Sequence, residues 1–299
     1  MQKNYWIEND DLLISNISNS LTRYNDRYVS STSTTTSSSS SSSSHIPRII
    51  HFIWLGSKAL PQYCEKLIES WSIVHSNWLI KVWTDDSIKD LYIENRDKFE
   101  NADNYGMKSD ILRYEILYRE GGVYIDIDYE CLQSLETIVC NCSFFAGLSS
   151  TLALEINNGI IGSIPYHPLL EILINSIKTQ PIDISKPTTT AFKNQISSFL
   201  SNDEISVFDS ILTSSTNNDK YMKTIRETGP GLLTKTIFDI FFDSVVSNEI
   251  VIFPKNIFSP VPNTYRVNLA NDEEVSNLKS RYVDIDTIAI HWSQRSWQI

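Results

Sequence analysis

The chain has 299 residues, 41% apolar and 11% aromatic, enough to bury a sizeable core and to exclude wholesale disorder. Its 25 Lys and Arg against 36 Asp and Glu give a formal net charge of −11, and no basic patch stands out, so nucleic acid is excluded as a partner. No apolar run reaches the length of a membrane span, and four cysteines without paired C-x-x-C spacing make neither a disulfide scaffold nor a structural zinc site.

In chain order, residues 1–29 form a polar arm that carries Trp6, Leu12, Leu13, Tyr24 and Tyr28. No signal-peptide core is visible in it, which makes a cytoplasmic location the default expectation. Residues 30–44 are all Ser or Thr. Such a run has nothing to bury and cannot repay its ordering entropy, so it reads as a disordered linker. The folded body is expected over 45–299.

The body opens on Pro47–Gly56, a nearly continuous apolar run that suits a buried parallel strand. His51 within it reads as a satisfied core histidine. A helix follows over Pro61–Val74, with Cys64, Leu67, Ile68 and Trp71 at helical spacing. A strand at Trp78–Trp83 comes next, then a short helix capped by Asp85 and Asp86. Residues 107–120 form a helix that Gly121-Gly122 stops, and Val123–Asp128 is a third strand. Further strands are expected near Phe144–Leu148, Asn158–Ile161, Ile250–Phe253 and Ile288–His291, and helices over Pro168–Lys178, Thr190–Leu200 and Gly231–Phe242. Strands alternating with helices predict an α/β fold around a largely parallel sheet.

The chemistry concentrates between Ser109 and Asp128. Asp110 and Arg113 are three apart on one helix and share a face. On the strand after the glycines, Val123, Ile125 and Ile127 point one way and Tyr124, Asp126 and Asp128 the other. Two carboxylates therefore project together near a strand's carboxyl end, where open α/β sheets bind ligands. Such a pair suits a hard divalent cation that also bridges phosphates. A diphosphate would otherwise be repelled by it, and a cation reverses the local sign. The chain also holds an internal comparison: Tyr282-Val-Asp-Ile-Asp286 repeats the local pattern without the upstream Ser-Asp-x-x-Arg or the Gly-Gly. Asp284 and Asp286 are therefore expected to be solvent-facing or turn residues.

Taken in order, Ile46-Pro-Arg-Ile-Ile-His-Phe-Ile-Trp-Leu-Gly56, Trp83-Thr-Asp-Asp86, Ser109-Asp-Ile-Leu-Arg113 and Gly121-Gly-Val-Tyr-Ile-Asp-Ile-Asp128 resemble the glycosyltransferase family that carries the Asp-x-Asp sugar-binding region. That family includes initiating α-1,6-mannosyltransferases and inositol-phosphoceramide mannosyltransferases, and large clostridial toxin glucosyltransferase domains are similar. Asn157-Asn-Gly-Ile-Ile-Gly-Ser163, Thr228-Gly-Pro230 and His291-Trp-Ser-Gln-Arg-Ser-Trp297 resemble its later landmarks more loosely.

The resemblance implies a GT-A type, Rossmann-like fold and a retaining hexosyltransferase. The donor would be a nucleotide sugar, GDP-mannose or a UDP-sugar, and the acceptor a glycan, glycolipid or protein. It implies Mn²⁺ (or Mg²⁺) on Asp128 and Asp126, with His291 approaching the metal. Asp110, Arg113 and Tyr124 would lie at the donor, Asn157 or Asn158 near the sugar, and Ser293 or Trp297 in a closing C-terminal segment. Trp54 is open between two readings, core packing and a platform for the nucleobase. Thr228-Gly-Pro230 reads as the start of a helix. Golgi association is a further implication of the resemblance.

Two other functions compete. An Asp-x-Asp phosphatase or phosphotransferase uses one aspartate as nucleophile, usually with Gly or Thr close behind, whereas Tyr129-Glu130 follows here. A non-catalytic nucleotide-sugar-binding protein would share the fold, and loss of the metal carboxylates would mark it; both are present.

Overall fold

The computed structural model describes residues 45–150, 155–179, 220–242, 250–265 and 267–294. The arm, the Ser/Thr run, the helix expected over Thr190–Leu200 and Trp297 lie outside the described residues. The remaining elements form a mixed α/β fold around a six-stranded sheet. Its strands are β1 (Ile49–Ile53), β2 (Leu79–Trp83), β3 (Gly122–Ile125), β5 (Phe144–Leu148), β6 (Ile156–Ser163) and β7 (Ile250–Phe253), in the order β2-β1-β3-β6-β5-β7. All pairings are parallel except those of β6, which runs against both its neighbours. The sheet is thus largely parallel, as the alternation of strands and helices predicts. A separate ribbon pairs β4 (Tyr129–Cys131) with β8 (Ala289–His291).

Strand periodicity sorts the core onto two faces of the sheet. Ile50 and Phe52 of β1, Val123 and Ile125 of β3 and Phe145 of β5 pack with Cys64 and Trp71 of α1 (Gln62–Val74) and with α4 (Glu136–Val139). On the other face, Tyr124, Phe144, Ala146 and Ile161 meet α3 (Tyr105–Glu120), α5 (Pro168–Thr179) and α7 (Pro230–Phe242). Strands covered on both sides read as continuous apolar runs for that reason. A smaller cluster beneath the ribbon joins Leu67, Val267, Ile290 and Trp292 to Leu278 of α9 (Asp272–Tyr282).

The junction between α3 and β3 aims the central strand. Asn104 caps α3 by accepting a hydrogen bond from the Met107 amide. At the far end Gly121 and Gly122 take φ of +64° and +95°, where side chains are disfavoured. A Cβ on Gly122 would also lie 2.6 Å from the Ile49 carbonyl oxygen. The Gly-Gly pair therefore lets the chain leave the helix and lie against β1 within one step.

Several expectations change. Residues 85–90 are a run of turns and no helix forms there; Asp85 instead accepts a hydrogen bond from the Gly56 amide at 2.6 Å, joining the ends of β1 and β2. The third strand stops at Ile125, because its pairing with β6 ends at Ile160. Asp126 and Asp128 lie on the turn beyond it, closed by the bond from Tyr129 N to Asp126 O at 3.1 Å. The helices α2 (Arg96–Glu100), α6 (Lys220–Glu227), α8 (Lys255–Phe258) and α9 were not anticipated, nor was β4. All four cysteines are free thiols, three of them buried. No helix among the described residues is long and apolar enough to cross a membrane.

His51 is wholly buried and both ring nitrogens have partners. The Trp83 indole N–H donates to Nδ1 at 3.1 Å, so Nε2 carries the proton and donates to the Gly121 carbonyl at 2.9 Å. Burial pulls this ring down from 6.5 to about 4. The unfolded chain then binds the extra proton between those values, and stability falls as pH drops from 6.5 towards 4. A shift of that size is worth on the order of 3 kcal/mol. The stability gap between the wild type and His51→Gln, measured by urea denaturation, is expected to narrow steadily across that interval. A pH-independent gap would contradict a neutral buried His51.

Candidate active site

The turn after β3 delivers two carboxylates to the rim of a pocket of about 400 Å³. Asp126 is held by its backbone, which donates to the Gly159 carbonyl of β6 at 2.7 Å. Asp128 is 6% exposed and Asp126 is half-buried. The ribbon brings His291 directly opposite Tyr129, and the two rings stack with centroids 4.3 Å apart and 9° between planes. His291 Nε2 thereby lies 3.3 Å from Asp128 Oδ1. One ligand atom from each of Asp126, Asp128 and His291 can be chosen so that all three lie within 4.8 Å of one another. Two carboxylate oxygens and an imidazole nitrogen form a donor set that suits Mn²⁺, with the hard oxygens also acceptable to Mg²⁺.

Arg113 anchors the pocket's inner wall. Its side chain is only 5% exposed, and it meets Asp110 Oδ1 at 3.0 Å and Asp126 Oδ1 at 3.2 Å. The guanidinium also donates to the Asn158 carbonyl at 2.6 Å and lies over the Tyr124 ring. Tyr124 donates its hydroxyl to Asp126 Oδ1 at 2.5 Å. Asp110 Oδ1 further accepts from Asn158 Nδ2 at 2.8 Å, and Oδ2 lies 3.0 Å from the Thr228 hydroxyl. Asp126 Oδ2 faces Gly159, where a Cβ would come within 2.8 Å of it.

The electrostatics follow from burial. Desolvation pushes the Asp110 carboxyl up to about 6 in spite of Arg113, Thr228 and Asn158. Burial also raises Asp126, opposed by Arg113 and reinforced by the charge of Asp128. Asp128 goes the other way: burial opposes ionisation, but His291 and the Gln294 amide outweigh it and hold the carboxyl low. Asp128 in turn pulls the His291 ring upward against burial. Charged side chains around the pocket are Lys58 and Arg113 against Asp110, Asp126, Asp128 and Glu155. With a neutral His291 the charged side chains leave the cavity net negative, which opposes an anionic ligand on its own.

Residues 61–145 match the family described as a glycosyltransferase sugar-binding region containing a DXD motif. The match spans the helix α3, strand β3 and the two aspartates of the turn. An uncharacterized glycosyltransferase of Acanthamoeba polyphaga mimivirus is 29% identical to this chain over 182 residues, 55% of this chain and 71% of the viral one. A mannosyl phosphorylinositol ceramide synthase of Saccharomyces cerevisiae is 32% identical over 137 residues. That match covers 44% of this chain and 35% of the yeast protein, so the chain spans about a third of that fungal relative. Among solved structures, the catalytic domain of the alpha-toxin from Clostridium novyi aligns over 84% of this chain and 78% of its own, at 11% identity and a TM-score of 0.47.

The structure places the sequence-predicted residues as follows. Trp54, Asp110, Arg113, Tyr124, Asp126, Asp128, Asn157, Asn158, His291 and Ser293 all line the one pocket. Trp54 packs partly against the core and borders the pocket, its indole N–H bonded to the Lys58 carbonyl at 2.7 Å. Asp284 and Asp286 are exposed on a turn, where Asp284 accepts the Asp286 amide. Trp292, at the head of that C-terminal segment, packs beneath the ribbon. It is 2% exposed, and its indole N–H donates to Glu130 at 3.2 Å, because β8 turns it under the ribbon.

Sequence reasoning missed four contributors. Glu155 lines the pocket, and burial raises its carboxyl. Thr228 does more than begin a helix, since it also contacts Asp110. The Gln294 amide donates to Asp128 Oδ2 at 2.7 Å, and Tyr129 backs His291. Thr228 and Gln294 already stood in quoted motifs, whereas Glu155 carried no signal in the sequence.

Removing Arg113 leaves Asp110 and Asp126 buried without their cation. Arg113→Met is expected to cost about 3–5 kcal/mol in urea denaturation. Arg113→Lys should recover only part of this, because a single ammonium cannot serve both carboxylates and the Asn158 carbonyl in one plane. A loss below about 1 kcal/mol for Arg113→Met would show that the pair is solvated like a surface bridge.

Proposed function

We propose that this chain transfers a hexose from a nucleotide sugar to an acceptor, assisted by a divalent cation held between Asp126, Asp128 and His291. The convergence of these three side chains on a net-negative pocket, within a chain whose residues 61–145 match a sugar-binding region, supports the reading. The cation, when bound, offsets the charge of the diphosphate leaving group. Every other task falls to the chain. Asp126 and Asp128 present their carboxylates from a turn fixed at both ends. Arg113, Asp110 and Asn158 hold the inner wall with buried hydrogen bonds, so donor groups meet oriented partners and no reorganisation is needed. Trp54 offers an aromatic surface at the pocket border for the nucleobase.

The Saccharomyces cerevisiae relative and an inositol phosphoceramide mannosyltransferase of Schizosaccharomyces pombe, 28% identical over 137 residues, support a hexose such as mannose. The family resemblance supports retention at the anomeric carbon, and the inositol phosphoceramide acceptors in those names favour a glycolipid acceptor over a free sugar. A phosphatase is disfavoured by the site itself. Asp126 is tied to Arg113 and Tyr124, and Asp128 to Gln294 and His291, so neither carboxylate is set apart as a nucleophile.

The test is nucleotide-sugar hydrolysis with Mn²⁺, read by release of the nucleoside diphosphate. Wild type is expected to hydrolyse at least one of GDP-mannose, UDP-glucose and UDP-N-acetylglucosamine slowly, and chelation with EDTA to stop it. Asp128→Asn should fall to background, while Asp286→Asn, on the exposed turn, should keep the wild-type rate. Equal loss in both variants, or hydrolysis indifferent to EDTA, would defeat the proposal.

A further inference from the structure

The hydrogen bonds around His291 fix which of its nitrogens carries the proton. Asn157 Nδ2 lies 3.3 Å from His291 Nδ1. An amide nitrogen only donates, so Nδ1 must accept and the ring proton sits on Nε2. The amide could be turned over in principle, but its other end is pinned: Asn157 Oδ1 accepts the Gly159 amide at 2.7 Å. Reversing it would set the Asn157 NH₂ against that backbone N–H. In a doubly protonated ring, which Asp128 favours, Nδ1–H would face the Asn157 NH₂, so the contact with Asn157 opposes that form. In this arrangement Nε2–H donates to Asp128 Oδ1 at 3.3 Å. A nitrogen that bears a proton cannot ligate a metal, and Nε2 is the nitrogen that faces the carboxylate pair.

We infer that Asn157 is a positioning residue that controls whether His291 can join Asp126 and Asp128 as a metal ligand, by dictating which ring nitrogen holds the proton. The inference rests on the proposed metal-dependent reading and adds a gate to it. While Asn157 donates to Nδ1, His291 steadies the Asp128 carboxylate. When the proton moves to Nδ1, Asn157 must present its oxygen and give up the Gly159 amide. Metal loading and the orientation of one amide are therefore coupled, and the amide resists the ligand form of the histidine. Gly159 is tied to the same event twice, through its amide to Asn157 and through its carbonyl to the Asp126 amide.

The decisive variant is Asn157→Asp. It keeps an acceptor for Gly159 and supplies a second one to His291, so the ring can carry its proton on Nδ1 without any rearrangement. A carboxylate behind a ligating histidine is the usual partner that fixes this tautomer. The tautomer is read directly in the metal-free full chain at pH 8 by long-range proton–nitrogen NMR of ¹⁵N-histidine protein. The chain has five histidines, and His291→Gln identifies the signal. Wild type is expected as the Nε2–H form and Asn157→Asp as the Nδ1–H form. Mn²⁺ affinity, followed by electron paramagnetic resonance of the free ion, should tighten about tenfold in Asn157→Asp. That gain should vanish when His291→Gln is added, which separates a tautomer effect from the extra negative charge. An Nδ1–H ring in metal-free wild type, or a gain that survives His291→Gln, would overturn the inference. If wild type binds no Mn²⁺ at all, the metal-dependent function fails, and the NMR still decides what Asn157 does to the ring.

Discussion

One buried guanidinium holds this site together. Arg113 reaches both Asp110 and Asp126 from the interior while Asp128 stands close by. Carboxylates so near one another in a low-dielectric wall repel, and each is costly to desolvate. Without a cation of fixed geometry, either their protons return or the wall opens. The planar fork of arginine meets two carboxylates and the Asn158 carbonyl at once, which an ammonium cannot do. Much of the surrounding architecture serves to place it. Asn104 starts α3, the Gly-Gly pair ends it against β1, and β6 runs antiparallel so that Asn157, Asn158 and Gly159 lie beside the turn that follows β3.

The second support is the β4–β8 ribbon, which answers to a different constraint. Tyr129 immediately follows Asp128, so pairing Tyr129 with His291 converts a remote histidine into a neighbour of the carboxylates. A slip of one residue would turn His291 to the opposite face of the ribbon. Trp292 fixes the register. Burying a Trp side chain removes about 200 Å² from water and contributes about 5 kcal/mol at ~25 cal/mol/Å². Its indole N–H finds Glu130, which also binds Lys279 of α9 at 2.5 Å. The Trp71 indole N–H meets the Tyr129 carbonyl at 3.0 Å from the sheet side.

Much of this was legible in the sequence because it depends on period and punctuation. The apolar run of β1, the helical spacing of Cys64, Leu67 and Trp71, and the Gly-Gly stop are local signals, and the elements form where those signals place them. The pairing of Asp110 with Arg113 follows from helix geometry alone. The third strand was drawn too long, because alternation continues through Asp128 while the ladder ends where β6 stops supplying partners. Three-residue strands such as β4 have no periodicity to read. Glu155, Thr228 and the Gln294 amide reach the site through long-range packing, and a backbone amide has no letter in a sequence. Asp284-Ile-Asp286 repeats the local pattern and sits on an exposed turn, so the upstream helix and glycines, more than the aspartates themselves, mark the site.

Asp128 unites the metal question with the backbone. Ser293 takes φ of +50°, a left-handed conformation that disfavours a side chain by roughly 1–2 kcal/mol. Both its neighbours are held by Asp128: the Trp292 amide donates to the Asp128 carbonyl at 3.0 Å, and the Gln294 amide to Oδ2 at 2.7 Å. A bond from a backbone amide to an ionised carboxylate is worth about 1.5–3 kcal/mol, enough to hold the strained residue in place. The carboxylate thus divides its two oxygens. Oδ2 accepts from the chain beyond β8, and Oδ1 is the oxygen that meets His291. On the proposed metal-dependent reading, a cation at Oδ1 would leave the bond at Oδ2 intact and would compete with the His291 proton. If that reading holds, the histidine's tautomer is the point at which metal binding and the folded scaffold would meet.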